Sequence, residues 1–249
     1  MNVLSPTRRR SAAAAAVLAL AAASATAAAP AAHADETDPS HLTVVYDAVG
    51  TTHVGNQVDA DMPIGPTTIS VTIDTLAPLP TPIIDGSMTI PPQTMNFDIF
   101  GIPARARVTM TQVGPITGTL TKLPSPRQAL DLKSQVKYDI RLSNVEAKVF
   151  GIWWPLAVGS NCHTASPVTI NADSVIDNST VPPTGYFTIN GGGTLADTYT
   201  IGQFTGCTPL NFFDIPGFFP TFGSVPINAL VPGSDNTLSL TLSNPRAPE

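Results

Sequence analysis

The chain has 249 residues, with 25 prolines, 18 glycines, 12% charged residues and a formal net charge of −6. Twelve Lys and Arg against 18 Asp and Glu argue against nucleic acid or anionic lipid headgroups as electrostatic partners, since both need basic patches. After the N-terminal region no apolar run approaches the ~20 residues of a membrane-spanning helix, so no transmembrane segment is expected in the exported chain.

Residues 1–34 read as an export signal. Arg8, Arg9 and Arg10 form a positive start, "SAAAAAVLALAAASATAAA" is the apolar stretch, and Ala32-His33-Ala34 is the small-x-small cleavage pattern. The arginines also permit a twin-arginine route, although the residues after the pair fit it poorly. Cleavage after Ala34 leaves 215 of 249 residues, all 18 acids and nine of 12 basic residues, hence a net charge of −9. Residues 35–41, "DETDPSH", are acidic and polar and are expected to be disordered.

From residue 42 onward the dominant signal is a period of two, expected to form a single domain over 42–249. In "ISVTID" the apolar side is Ile69, Val71 and Ile73; in "VKYDIRLS" it is Val136, Tyr138, Ile140 and Leu142; in "TLSLTLS" it is Leu238, Leu240 and Leu242. Such alternation puts one face on a core and the other in water, the antiparallel pattern. Further strands are expected at 42–49, 86–91, 94–100, 105–113, 116–122, 145–150, 167–174, 184–190 and 193–201. "VGPITG" at 113–118 reads as a tight turn between two of them. Only "RQALDLKSQ" at 127–135 has some helical propensity. The expected fold is all-β, an antiparallel two-sheet sandwich, with a barrel or an elongated curved sheet as alternatives.

"DIFGIPARARVTM" at 98–110 echoes "KVFGIWWPLAVGS" at 148–160, without the fixed period of true repeats. The phrases "VKYDIRLSNV", "KVFGIWWPLAVGSNCHTASPVTI", "GGTLADTYTIGQFTGC" and "NALVPGSDNTLSLTLS" resemble a secreted, β-rich protein family common in actinobacteria, known mostly as hypothetical exported proteins. The resemblance spans most of 42–243. Trp153-Trp154 and the long "NFFDIPGFFPTFG" depart from its pattern. It implies an exported actinobacterial origin and supports a Cys162–Cys207 disulfide, but transfers no chemistry. That pairing is also the simplest use of the only two cysteines in an exported chain. It would restrict the unfolded chain by roughly 4 kcal/mol.

No catalytic, cofactor or metal motif stands out. There is no G-x-S-x-G elbow, and His41, His53 and His163 read as surface or loop residues. Of the 18 acids 15 are Asp, placed as turns and strand ends place them. A glycosidase would need two carboxylates set close together; Asp59 and Asp61 share a face if extended, and Asp74, Asp98, Asp173 and Asp197 lie near strand ends. "GGGT" at 191–194 reads as a hairpin turn, since no helix or lysine follows to cradle a phosphate. "NST" at 178–180 reads as an accidental sequon.

The aromatic clusters are the remaining clue. Trp153 and Trp154 are adjacent, so on a strand they point to opposite faces. Residues 211–223 hold five of the ten phenylalanines, Phe212, Phe213, Phe218, Phe219 and Phe222, among turn-forming Pro and Gly. Three readings stay open: a plug over one end of the fold, the mouth of an apolar site, or an exposed patch for a partner or envelope lipid. The leading expectation is a secreted, non-catalytic envelope or extracellular protein that binds an apolar ligand or surface through these seven residues. A carbohydrate-active hydrolase using Asp pairs and a purely structural surface protein are the rivals.

Overall fold

The computed structural model describes residues 40–248. The expected signal segment 1–34, its cleavage site and residues 35–39 lie outside them. The strands are β1 (His41–Val54), β2 (Ala60–Asp74), β3 (Thr81–Met88), β4 (Gln93–Ile99), β5 (Ile102–Gln112), β6 (Thr117–Lys122), β7 (Leu130–Val149) and β8 (Ile152–Leu156). Then follow β9 (Cys162–Thr164), β10 (Val168–Ile170), β11 (Asp173–Ser174), β12 (Gly193–Ile201), β13 (Phe204–Thr205), β14 (Leu210–Asn211), β15 (Ser224–Val225) and β16 (Gly233–Arg246). A 3₁₀ turn at Phe212–Asp214 and one helical turn, α1 (Ile227–Leu230), are the helices among the described residues.

The fold is all-β: fourteen strands form one large antiparallel sheet, and β14 and β15 form a small second one. The large sheet folds over, so that Val44, Ile69, Leu195 and Leu242 on one side meet Leu120 and Leu132 on the other around a shared apolar space. It does not close into a barrel. Where β11 comes beside β7, side chains stand in for ladder bonds: Ser174 Oγ accepts from Leu132 N–H at 3.0 Å and Asp173 Oδ1 from Ser134 N–H at 3.3 Å.

β7 is the centre. On one edge it pairs with β5 (Tyr138 with Gln112) and β6 (Gln135 with Thr117). On the other it pairs with β8, β9 and β10 (Tyr138 again, with Val168). The "VGPITG" segment is therefore not a tight turn reversing the chain. Val113 N–H donates to Lys137 O at 2.8 Å, and β5 and β6 continue past one another along the same edge of β7 with an irregularity between them.

β7 also overturns two boundary readings. Residues 130–135 are strand rather than helical, with Leu132 buried and Lys133 exposed in register with Leu120 and Thr119. The segments 136–143 and 145–150 are one strand. Leu142 and Val145 both face the core because Asn144, at φ 48°, forms a bulge opposite Arg105–Arg107 that shifts the alternation by one residue. In β2 the same device operates at Gly65, at φ 86°. A Cβ there would lie 2.5 Å from Ala48 O, so Gly65-Pro66 is a bulge in a strand that starts at Ala60, ahead of the expected alternation at 69–74. Residues 40–41 are ordered, not disordered: Thr75 N–H and its hydroxyl both donate to Ser40 O, and His41 pairs with Asp74. Residues 184–190 form only isolated bridges, Phe187 with Leu130, Thr188 with Gly192 and Thr184 with Asp177. The second closes the expected "GGGT" turn.

Three tyrosines are in the core. Burial pushes the Tyr46 hydroxyl up to about 12 and the Tyr138 hydroxyl higher still; for Tyr199 burial outweighs the opposing hydrogen bond from Thr52. Tyr138 is buried and its hydroxyl has no hydrogen-bond partner among the described residues. A folded pKa above the unfolded value of about 10 gives stability that is full below about pH 10 and is lost as pH rises through the folded value. Denaturant midpoints should thus be flat near neutrality and fall above about pH 10. Tyr138→Phe should weaken that fall and raise neutral-pH stability by about 1 kcal/mol, by removing an unpartnered polar atom. A loss of stability in that variant would show that the hydroxyl is satisfied.

Candidate functional site

The Phe-rich segment is held by a neck. Leu210 and Asn211 pair with Val225 and Ser224, and Phe212 N–H donates to Gly223 O at 3.1 Å. Inside the neck Asn211 caps the 3₁₀ turn, its Oδ1 accepting from Phe213 N–H, while its amide nitrogen donates to Asp214 Oδ1 at 2.8 Å. The entering strand is stapled by the Cys162–Cys207 disulfide, whose Cα atoms lie 4.3 Å apart. Beside it, Thr208 N–H donates to Val158 O and its hydroxyl to Ala157 O. The loop is thereby fixed to the strand line that carries the tryptophans.

The five rings divide. Phe212 is fully buried with Ile215 and Leu210, so that part of the segment is core, as the plug reading expects. Phe218 and Phe222 are half-buried against the core. Phe213 is 57% exposed and Phe219 84% exposed. Gly223 makes room for Phe213: a Cβ there would lie 2.6 Å from the ring.

Two hairpin tips meet this loop. The β4–β5 turn is Phe100-Gly101 and the β7–β8 turn is Phe150-Gly151, each with both residues at positive φ, the two-residue hairpin geometry that matches strand twist. Phe100 packs on Phe222 at 5.0 Å between centroids, Phe222 on Phe212 at 5.0 Å, and Phe150 on Phe218 edge-to-face at 6.2 Å. Phe100, Phe150 and Ile152 are themselves exposed by 58%, 71% and 57%. The result is an apolar tip at one end of the sheet, built from two hairpins and one loop. Sequence reading passed over Phe100, Phe150 and Ile152. The signal was present in the echoed "IFGI" and "VFGI" phrases, whose x-Gly pairs between alternating segments mark two-residue hairpins.

Trp153 and Trp154 point to opposite faces as expected. Trp154, opposite Ala147, packs inward against the core, and its indole nitrogen has no hydrogen-bond partner among the described residues. Trp153, opposite Lys148, is on the outer face, with the Arg105 guanidinium 4.3 Å from its ring centroid and the Lys148 ammonium 5.7 Å away. Arg105 also pairs with Glu146. Of the seven expected contact residues, Phe212 and Trp154 therefore face the protein's own interior.

Three apolar cavities in the core measure about 40, 20 and 40 Å³. A bound lipid chain needs roughly 300 Å³ or more, so none of these three cavities could hold one.

The acidic residues are mostly tied into the scaffold. Asp74 accepts from Leu76 and Ala77 N–H, Asp197 from Asn171 N–H, and Asp173 from Ser134 N–H and Lys133. Asp59 and Asp61 flank His53 at 3.5 and 3.0 Å. His163 Nδ1 lies 2.9 Å from Asn161 O, and His41 opens β1. Three carboxyls are displaced, all downward. Asp47 is held low by Asn244 and Arg246, Asp177 by Ser179, and Asp235 by backbone N–H groups including that of Asn56. None of these three is set up as a general acid. Among the described residues no group of three metal-binding side chains comes together, and no helix is long and apolar enough to cross a membrane.

No family model, no curated protein and no solved structure matches the chain.

The divided loop has direct consequences. Phe212→Ala should cost about 3–5 kcal/mol, whereas Phe219→Ser should shift stability by no more than about 0.5 kcal/mol; denaturant unfolding of both variants checks this. Replacing Cys162 and Cys207 together by Ser should cost up to about 4 kcal/mol. It should also move the first cuts of limited proteolysis into residues 206–223, read by mass spectrometry of the fragments.

Proposed function

We propose that the protein is an exported, non-catalytic module that docks reversibly on a lipid layer through its aromatic tip. One observation carries the reading. Among the described residues six non-glycine residues have positive φ; four are Asn or Asp, and the other two are Phe100 and Phe150. Asn and Asp tolerate this conformation, while a bulky side chain there costs about 1 kcal/mol or more. Both strained positions carry a large apolar ring that is more than half exposed. Local backbone preference does not account for that choice, and the contacts with Phe222 and Phe218 leave most of each ring exposed; contact with an apolar partner supplies a reason for it.

The form of the tip favours a fluid layer as that partner. The rings stand on two hairpin turns and a loop, three separate chain segments, and the core cavities are too small to take a lipid chain. Burying a Phe is worth about 1.5–3 kcal/mol. Phe100, Phe150, Phe213 and Phe219 together thus offer on the order of 6 kcal/mol, comparable to a single myristoyl chain, which binds membranes reversibly. Export is supported by the sequence of residues 1–34, by the disulfide and by the resemblance to exported actinobacterial proteins.

Phe150→Asn separates stability from binding. It should raise unfolding stability by about 1 kcal/mol, because Asn suits the turn, and lower partition into phosphatidylcholine vesicles about tenfold. Vesicle flotation and denaturant titration of the same preparation give both readings. Absence of vesicle binding by the unsubstituted protein, or unchanged partition in Phe150→Asn and Phe219→Ser, would sink the proposal.

A further inference from the structure

A groove of about 730 Å³ opens next to the tip, between the β1–β2 turn and the ends of β4, β5, β7 and β8. Phe100 and Trp153 give it aromatic surface, and Gln57, Asn96, Asp98 and Lys148 bring hydrogen-bonding heads into the same space. Among the described residues the side chains of Gln57, Asn96 and Asp98 have no internal hydrogen-bond partner. Trp153 is held in place by Arg105 and Lys148, and Arg105 is itself fixed by Glu146.

The mixture narrows the ligand. Gln57 and Asn96 both donate and accept, Asp98 accepts and Lys148 donates. Hydroxyl groups, which also donate and accept, satisfy all four, while the C–H face of a sugar ring suits an aromatic wall. A purely hydrocarbon ligand would leave these polar heads desolvated and unpaired. An anionic group would meet Asp98 and also Asp59, which lines the same groove, against Lys148 alone. Nucleic acid would need a basic surface. Phe100 belongs to both the groove and the apolar tip, so one ligand with a sugar head and acyl chains can engage both.

We propose that this groove binds an uncharged sugar unit, the headgroup of a neutral glycolipid whose chains meet the phenylalanine tip. The acyl half rests on the lipid-docking reading above; the sugar half stands on the groove alone. A free neutral oligosaccharide shares the same chemistry and is distinguished by the assay.

Phosphatidylcholine vesicles are compared with the same vesicles carrying digalactosyl or diglucosyl diacylglycerol. A panel of free neutral disaccharides is titrated separately against the fluorescence of Trp153 and Trp154. At least one glycolipid should tighten vesicle binding about tenfold, the worth of one or two hydrogen bonds. Asn96→Ala and Asp98→Ala, both at exposed positions, should remove that increment and leave binding to plain vesicles unchanged. Equal binding to all vesicles with no fluorescence response to any sugar overturns the inference, as does an increment that survives both substitutions. Binding to plain vesicles without a sugar increment leaves lipid docking standing and defeats the sugar site. Sugar binding that Asn96→Ala abolishes, with no vesicle binding at all, retains the groove and defeats the lipid docking. Circular dichroism of the two variants confirms that they are folded.

Discussion

Pairing on both edges of β7 is the constraint on which the structure depends. Leu130–Val149 carries β5 and β6 on one side and β8, β9 and β10 on the other, while its inward side chains, Leu132 through Val149, floor the core. The register of these ladders also decides where the two hairpin tips end. Ala104 sits opposite Ala147, and Ala147 opposite Trp154. Three further residues along the first ladder bring Phe100-Gly101 level with Phe150-Gly151. A one-residue slip would turn every side chain on the slipped strand to the other face. The bulge at Asn144 is thus as much a part of the tip as the phenylalanines, because it keeps Val145, Ala147 and Val149 directed inward up to the turn.

The tip is a place where local preference and exposure disagree. Elsewhere the left-handed positions follow the usual chemistry, with Asn56, Asp59, Asn144 and Asn244 occupying them. Both turns close unbroken ladders, seven pairs for β4–β5 and five for β7–β8, which hold their two ends in place. The loop shows the same division of labour internally. Phe212 and Ile215 anchor it, Phe218 and Phe222 bridge it to the hairpins, and Phe213 and Phe219 remain outside. Natural sequences depart from local consistency mainly where function requires it.

Much of the fold was legible in the sequence where alternation ran unbroken. "ISVTID", "VKYDIRLS" and "TLSLTLS" lie within β2, β7 and β16, and residues 193–201 form β12 as expected. Readings failed where alternation changes phase without the strand ending. Gly65 and Asn144 each insert a residue into a continuing ladder, and a bulge is indistinguishable from a loop when the partner strand is unknown. "RQALDLKSQ" shows only some helical propensity and no strand signal, because Ala129 and Leu130 side by side hide the alternation that Leu132 and Ser134 continue. For the site, the five-ring loop was conspicuous, but which rings it buries depends on the neck and on hairpins more than 50 residues away in sequence. Net charge and aromatic content describe the whole chain. The groove, by contrast, depends on which four polar side chains share one rim.

The Cys162–Cys207 bond ties the loop's entry to β9 on the edge of β7. Two free thiols would leave the approach to the loop held by the β9–β13 pairs, the Thr208 contacts and the two-residue neck. The position of the loop's base is therefore sensitive to the redox state of two sulfur atoms, while the long ladders of the core are not.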